Sequence, residues 1–260
     1  MKKENILEVQ GLTVTYRRRF FRPAVTILQD VNMEIPRGHI VVILGGNGTG
    51  KSTLMKTLVT STENDFDRRT LRTGEILFRD RNLLTEHSAL QEFRPLCSYS
   101  KQCDSVDDFE PAETVRGLLM KRVSADHTEA EAEKMATEML SRFHATHIAD
   151  KTVRELSGGQ MRLLMIMECL IYDKAELYLI DEPYNDLDDE RARCFSNYLA
   201  EMHEKRPDAS FIVITHCKKI LRTDDCVSAY RIEGGHLTPC EYHHVLCLGE
   251  LNEAGTRYAE

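Results

Sequence analysis

Eight consecutive residues, Gly45-Gly46-Asn47-Gly48-Thr49-Gly50-Lys51-Ser52, combine glycines, an ammonium group and a hydroxyl in an order that suits a phosphate chain. They match the pattern G-x-x-x-x-G-K-S/T at every fixed position, and Thr53 follows. Glycines let the backbone turn with positive φ and come close to an anion. Successive N–H groups along such a turn form a concave anion site. A helix starting near Lys51 aims its positive end at the same place. In that arrangement Lys51 reaches the β and γ phosphates, and Ser52 offers its hydroxyl to Mg2+. The pattern requires a strand before it and a helix after it. Residues 40–44 (IVVIL) and 53–58 (TLMKTL) supply them.

Two further clusters carry chemistry. Residues 177–183 read LYLIDEP, four apolar residues ending in Asp181 and Glu182. In a parallel sheet the carboxyl end of such a strand faces the ligand crevice. Asp181 is placed there to hold Mg2+ through a water. Glu182, one residue on, points another way and can polarise an attacking water. Residues 156–160 read LSGGQ, with Ser157 ahead of two glycines and a helical run. Backbone N–H donors and the positive helix end suit a phosphate here too. Two phosphate-cradling helix starts make sense if two copies pair head to tail and each completes the other's site.

The elements that must position these residues are strands alternating with helices. Residues 7–16 alternate apolar and polar as a strand does, and 75–78 (EILF) form another candidate. Residues 40–44, 177–180 and 211–215 (FIVIT) are apolar runs, as central strands of a covered parallel sheet would be. Residues 128–143, 158–171 and 190–203 read as helices. The acids of 129–138 mark a solvated helix face. The order predicts a doubly wound α/β sheet. Residues 103–155 lack strong strand signals and read as a helical insertion, and no repeat of 20–50 residues is present.

Composition narrows the function. The chain has 260 residues, 42% of them hydrophobic, enough for a sizeable core. With 34 basic against 42 acidic residues the net charge is −8, a poor basis for general nucleic-acid binding. No run approaches the eighteen or so apolar residues of a membrane span, and the N-terminus lacks the apolar core of a secretory signal. A soluble, intracellular protein is expected. The eight cysteines include no CxxC pair. Cys240, His243, His244 and Cys247 form a candidate metal group, but their spacing does not match a zinc finger, and an ordinary C-terminal segment is preferred. Residues 17–23 (RRRFFRP) read as a solvated loop between two strands.

With LSGGQ at this position, beside the glycine loop and the acidic strand end, the sequence resembles the nucleotide-binding subunits of the ATP-binding cassette family over about residues 5–240. The resemblance implies a P-loop NTPase with a mostly parallel central sheet, N-terminal antiparallel strands and a helical subdomain insert. It implies one domain over 1–260, with 1–102 and 156–260 as the core and its β subdomain, and 103–155 as the insert. ATP and Mg2+ are the implied ligands. Tyr16 matches the aromatic residue that stacks on adenine. Gly45, Gly46, Asn47, Gly48, Thr49, Gly50, Lys51, Ser52 and Thr53 match the ATP-binding loop, and Ser52, Gln102 and Asp181 match the Mg2+ ligands. Ser157, Gly158, Gly159 and Gln160 match the signature that meets the opposing subunit's nucleotide, and Asp188 the D-loop aspartate. Glu182, His216 and Lys51 match the catalytic group, with His216 near the γ phosphate.

The implied function is ATP binding and hydrolysis, in which Mg-ATP drives head-to-tail dimerisation and the cycle powers separate transmembrane permease subunits. The second ATPase subunit is either an identical or a related chain. The chain would be cytoplasmic, reaching the inner membrane face only through its partner, with no nucleic acid involved. The alternatives are a soluble non-transport ATPase, for example in iron–sulfur cluster assembly, and a regulatory ATP-binding module with weak turnover. The sequence departs from the family pattern after the signature. A Gln-Arg pair and a later Ala-Arg are usual there, whereas this chain has Met161-Arg162-Leu163 and then Glu168. Asn185-Asp186 replaces the usual Ser-Ala of the D-loop.

Overall fold

Three strands made mostly of buried apolar residues form the centre of the molecule: β3 (Ile40–Leu44), β7 (Leu177–Asp181) and β8 (Ser210–Thr215). The computed structural model describes residues 4–17, 23–59, 70–100, 110, 112–184, 189–215 and 227–240. Gln102, Asp188, His216, residues 18–22, His243, His244 and Cys247 lie outside the described residues.

The central sheet also takes β6 (Cys97–Ser100), β9 (Val227–Glu233) and β10 (His236–Pro239), in the order β10-β9-β3-β8-β7-β6. All its pairings are parallel except β10 with β9. A second sheet is antiparallel. It contains β1 (Asn5–Tyr16), β2 (Val25–Pro36), β4 (Thr70–Phe78) and β5 (Arg81–Asn82), in the order β2-β1-β4-β5. The fold is therefore the expected one, with a mostly parallel sheet and N-terminal antiparallel strands.

Successive side chains of a strand point to opposite faces, so the apolar strands of the central sheet split the core into two layers. Val41, Ile43, Leu177, Leu179, Ile212 and Ile214 face the antiparallel sheet. The helices α1 (Lys51–Val59) and α2 (His87–Phe93) join this layer through Leu54, Met55, Leu58, Leu90 and Phe93. Ile40, Val42, Tyr178, Ile180, Phe211 and Val213 face the other side. That layer also holds α3 (Val115–Val123), α4 (Glu129–Arg142), α5 (Gly158–Ile171) and α6 (Asp189–Lys205).

Helix α5 is apolar on nearly every side because it lies between the sheet and the other helices. Leu163 to Met167 are all buried, as are Cys169, Leu170 and Ile171. Helix α4 is amphipathic instead. Ala132, Ala136, Met139 and Leu140 are buried, while Glu129, Glu131 and Glu133 are exposed. Thr128 starts it with a reciprocal capping box to Glu131. Its far end is fixed to α6: Arg142 donates to Glu201 at 2.8 Å, and Phe143 meets Tyr198 edge-on at 5.7 Å. No helix among the described residues is long and apolar enough to cross a membrane.

Phe143 is fully buried at the junction of α4 with α6. Phe143→Ala should lower stability by about 3–5 kcal/mol, read as a fall in the urea midpoint at unchanged slope. A midpoint equal to the native one would contradict this packing.

Candidate active site

The glycine loop leaves β3 at Leu44 and enters α1 at Lys51. Its first glycine is fixed by space: a Cβ on Gly45 would lie 2.6 Å from Ile232 Cγ2 and 2.8 Å from the Ile232 carbonyl oxygen. Gly50 is fixed by conformation as well, with φ +105° and the β2 residues Ile27 and Leu28 packed behind it. The turn is closed by Thr49 Oγ1 donating to the Gly46 carbonyl at 2.9 Å. Leu54 N donating to the Gly50 carbonyl at 2.9 Å starts the helix. Gly46, Asn47 and Gly48 remain exposed at the tip. Ser52 and Thr53 sit in the first turn of α1, which contains no acidic residue to oppose an anion.

Lys51 is buried, and its Nζ has three neighbours. It donates to the carbonyls of Gly45 and Gly46, both at 2.8 Å, and lies 3.1 Å from Glu182 Oε1. An ammonium has three donors, so its capacity is filled by two loop carbonyls and one carboxylate. This joins the glycine loop directly to the acidic end of β7.

That strand end is the site's second half. Both carboxylate oxygens of Asp181 are buried, and neither accepts a well-formed hydrogen bond. Burial pushes the Asp181 pKa above the ordinary carboxylate value. The Ser52 hydroxyl, Arg162 and Lys51 offset part of this, while Glu182 adds to it. Glu182 has φ +49°, in the left-handed region that a non-glycine residue seldom adopts. Its N–H donates to the Ile214 carbonyl at 2.8 Å.

A divalent cation fits this donor set. Asp181 and Ser52 offer hard oxygens, and the carboxylate accepts no well-formed hydrogen bond. The arrangement can therefore hold a metal-bound polyphosphate, with Glu182 beside the lysine that would meet its terminal group. No cluster of three or more His, Cys, Asp or Glu suited to a metal is found among the described residues.

The signature residues lie at the start of α5, which covers the opposite face of the sheet from α1. Ser157 caps the helix by accepting from Gln160 N at 3.3 Å, and Gln160 Oε1 accepts from Ser157 N at 3.1 Å. Ser157 and Gly158 are exposed, and a Cβ on Gly158 would meet nothing within 4 Å. Tyr16 closes β1, half-buried, where it pairs with Val25 of β2 two residues before the Ile27 that backs Gly50. The structure thus brings the glycine loop and the start of α1 against Asp181 and Glu182 at the end of β7. Ser157 to Gln160 stand on a separate exposed helix start.

One residue of the site was missed by sequence reasoning. Arg162 is buried, and its Nη2 donates to the Glu182 carbonyl at 2.9 Å. Its signal was available as the one charge in the apolar run 161–167.

The raised Asp181 pKa has a consequence for stability. A carboxyl whose pKa is higher folded than unfolded binds more protons when folded, so stability falls as pH rises through its titration. Asp181→Asn should therefore raise the melting temperature of the metal-free protein at neutral pH. The gain should vanish below about pH 4, where the unfolded carboxyl is itself protonated. The same variant should gain less melting temperature from Mg-ATP than the native protein. A lower melting temperature of Asp181→Asn at neutral pH would contradict the buried, underserved carboxylate.

The family model described as ABC transporter matches residues 28–185. The chain is 29% identical over 222 residues to the lipoprotein-releasing system ATP-binding protein LolD of Francisella tularensis, a match covering 84% of this chain and 90% of that one. It is 28% identical over 203 residues to the zinc import ATP-binding protein ZnuC of a Wolbachia species, covering 78% and 70%. Among solved structures, a dimeric ATP-binding cassette bound to ADP and phosphate superposes with a TM-score of 0.74 at 20% identity, covering 92% of this chain and 99% of that one. The cbiO1 protein of Clostridium perfringens, part of a transporter complex, superposes at 0.63 with 23% identity, covering 91% and 88%. With more than half of its length matched by the family model and the family's fold matched over 92% of it, the chain belongs to the ABC transporter family, as an ATPase cassette.

Proposed function

We propose that this chain is the ATP-hydrolysing subunit of a transporter, working as a head-to-tail pair beneath separate transmembrane permease subunits. One juxtaposition carries the reading: Lys51 bridges the glycine loop and Glu182 beside an Asp181 carboxylate that accepts no well-formed hydrogen bond. When ATP binds, Lys51 exchanges the Gly45 and Gly46 carbonyls for β- and γ-phosphate oxygens, and the loop N–H groups hold the rest. Ser52 and Asp181 hold Mg2+, which neutralises charge on those phosphates. Glu182, released from Lys51, orients the attacking water and accepts its proton. Tyr16 stacks on the base at the end of β1.

The exposed helix start at Ser157, Gly158, Gly159 and Gln160 covers the γ phosphate of the opposing copy. Its open surroundings and its separation from α1 across the sheet support this role. Gln102, Asp188 and His216 take their roles from the family pattern: a metal ligand, a contact across the pair, and a γ-phosphate contact. In the division of the chain we propose, residues 1–102 and 156–260 form the nucleotide-binding core and 103–155 a helical insert. The permease subunits dock beside Gln102 and that insert, so the chain meets the cytoplasmic face of the membrane only through them. Relatives named for lipoprotein release, zinc import and manganese transport favour a transport role over iron–sulfur assembly.

Glu182→Gln tests both the chemistry and the pairing. Its turnover should fall by about 10²–10⁴-fold, the usual worth of a general base, while ATP still binds. With ATP and Mg2+ its mass by light scattering should double. Lys51→Ala should lose at least about tenfold in ATP affinity, the loss of one charged hydrogen bond. Equal phosphate release from Glu182→Gln and the native chain would reject Glu182 as the base. A monomer under all nucleotide conditions would reject the pair.

A further inference from the structure

Arg162 connects helix α5 to the end of β7. It lies on the second turn of α5, the helix capped by Ser157, and its side chain is buried. Its Nη2 donates to the Glu182 carbonyl at 2.9 Å, while the Glu182 N–H donates to Ile214 on β8 at 2.8 Å. Both backbone groups of Glu182 are thus committed, one to α5 and one to the sheet. Between them the residue is held at φ +49°, a conformation that persists only where the surroundings over-determine it. The backbone conformation sets the direction in which the side chain leaves. Here it brings Oε1 to 3.1 Å from Lys51 Nζ.

We infer that Arg162 is a positioning residue for hydrolysis: it holds Glu182 in its left-handed backbone and makes the aim of that carboxylate depend on where α5 lies. The inference rests on Glu182 being the base. Ser157 and Arg162 are five residues apart on one rigid helix, roughly 7.5 Å along its axis. A nucleotide of the opposing copy that engages the Ser157 end therefore moves Arg162, and with it the Glu182 carbonyl. Each subunit's own glutamate is set by the site that the subunit completes in its partner. A role confined to balancing the buried Asp181 charge would affect stability and metal binding but would not reach Glu182.

Steady-state ATP turnover of the full chain separates these roles. Arg162→Ala should lower kcat roughly ten- to a hundredfold, the cost of about an ångström of misplacement, with KM for ATP unchanged. Arg162→Lys, whose ammonium can donate to the same carbonyl, should recover part of the loss. In a Glu182→Gln background, Arg162→Ala should have no further effect on kcat. If Arg162→Ala does not fold, Arg162→Met fills similar volume without a donor and should behave as described for the alanine variant. Native kcat in Arg162→Ala or Arg162→Met would overturn the inference. So would a loss of equal size with and without Glu182, or a lysine variant no better than alanine. Native turnover in Glu182→Gln alone would instead remove the base on which the inference stands, and so refute both readings.

Discussion

Four charged side chains are buried together at the carboxyl edge of the central sheet, and the site follows from the need to pair them. Lys51 and Arg162 are the cations, Asp181 and Glu182 the anions. A charge taken out of water costs several kcal/mol unless a partner and hydrogen bonds replace the solvent. Lys51 and Glu182 meet this need in each other and in two loop carbonyls. Arg162 binds the Glu182 carbonyl and moderates Asp181 from a distance. Asp181 is left with no well-formed hydrogen bond. The group that would complete it is a cation with room for oxygen donors, which is why the cluster is poised for a metal-bound anion.

The central sheet gives this cluster its geometry by acting as a partition. Residues alternate between its two faces, and α1 packs in the layer on one face while α5 packs in the layer on the other. One helix start carries the glycine loop, and the other stands exposed at Ser157. The glycine loop and the exposed Ser157 helix start are therefore held on separate elements with a sheet between them. In the pairing we propose, a second copy supplies the missing half. Arg162 crosses the partition: it reaches from α5 to the end of β7 and touches the glutamate that faces the glycine loop.

Much of this was legible in the sequence, and the exceptions have physical causes. β3, β7 and β8 could be read because strands covered on both faces become unbroken apolar runs. β2 escaped notice because its buried set shifts phase, from Leu28 to Val31, Met33 and Ile35, around Asp30 at φ +51°. Its pairing with β1 is irregular across the same stretch, so no single period of two runs the length of the twelve residues. β6 was hidden by composition: Ser98 and Ser100 fill buried positions, and Ser98 gives its hydroxyl proton to the Cys169 carbonyl. The residues of the glycine loop and strand end were legible because phosphate chemistry restricts both residue type and order. Arg162 was not, because nothing in a run of residues says which carbonyl a buried guanidinium will find.

Two local rules are broken in this site, and they are broken at adjacent residues. Asp181 is a buried carboxylate without adequate partners, and Glu182 is a non-glycine residue in left-handed backbone. Sequences generally agree with their folds at every level, and disagreement concentrates where function demands it. Neither feature would survive in a loosely held loop, since each could relax. They persist because β7 is buried along its whole length and paired on both sides, to β6 and β8. The apolar run before Asp181 thus does more than fill the core. It makes the strand end rigid enough to hold one carboxylate unsatisfied and the next one aimed, which is the state a metal-bound triphosphate can exploit.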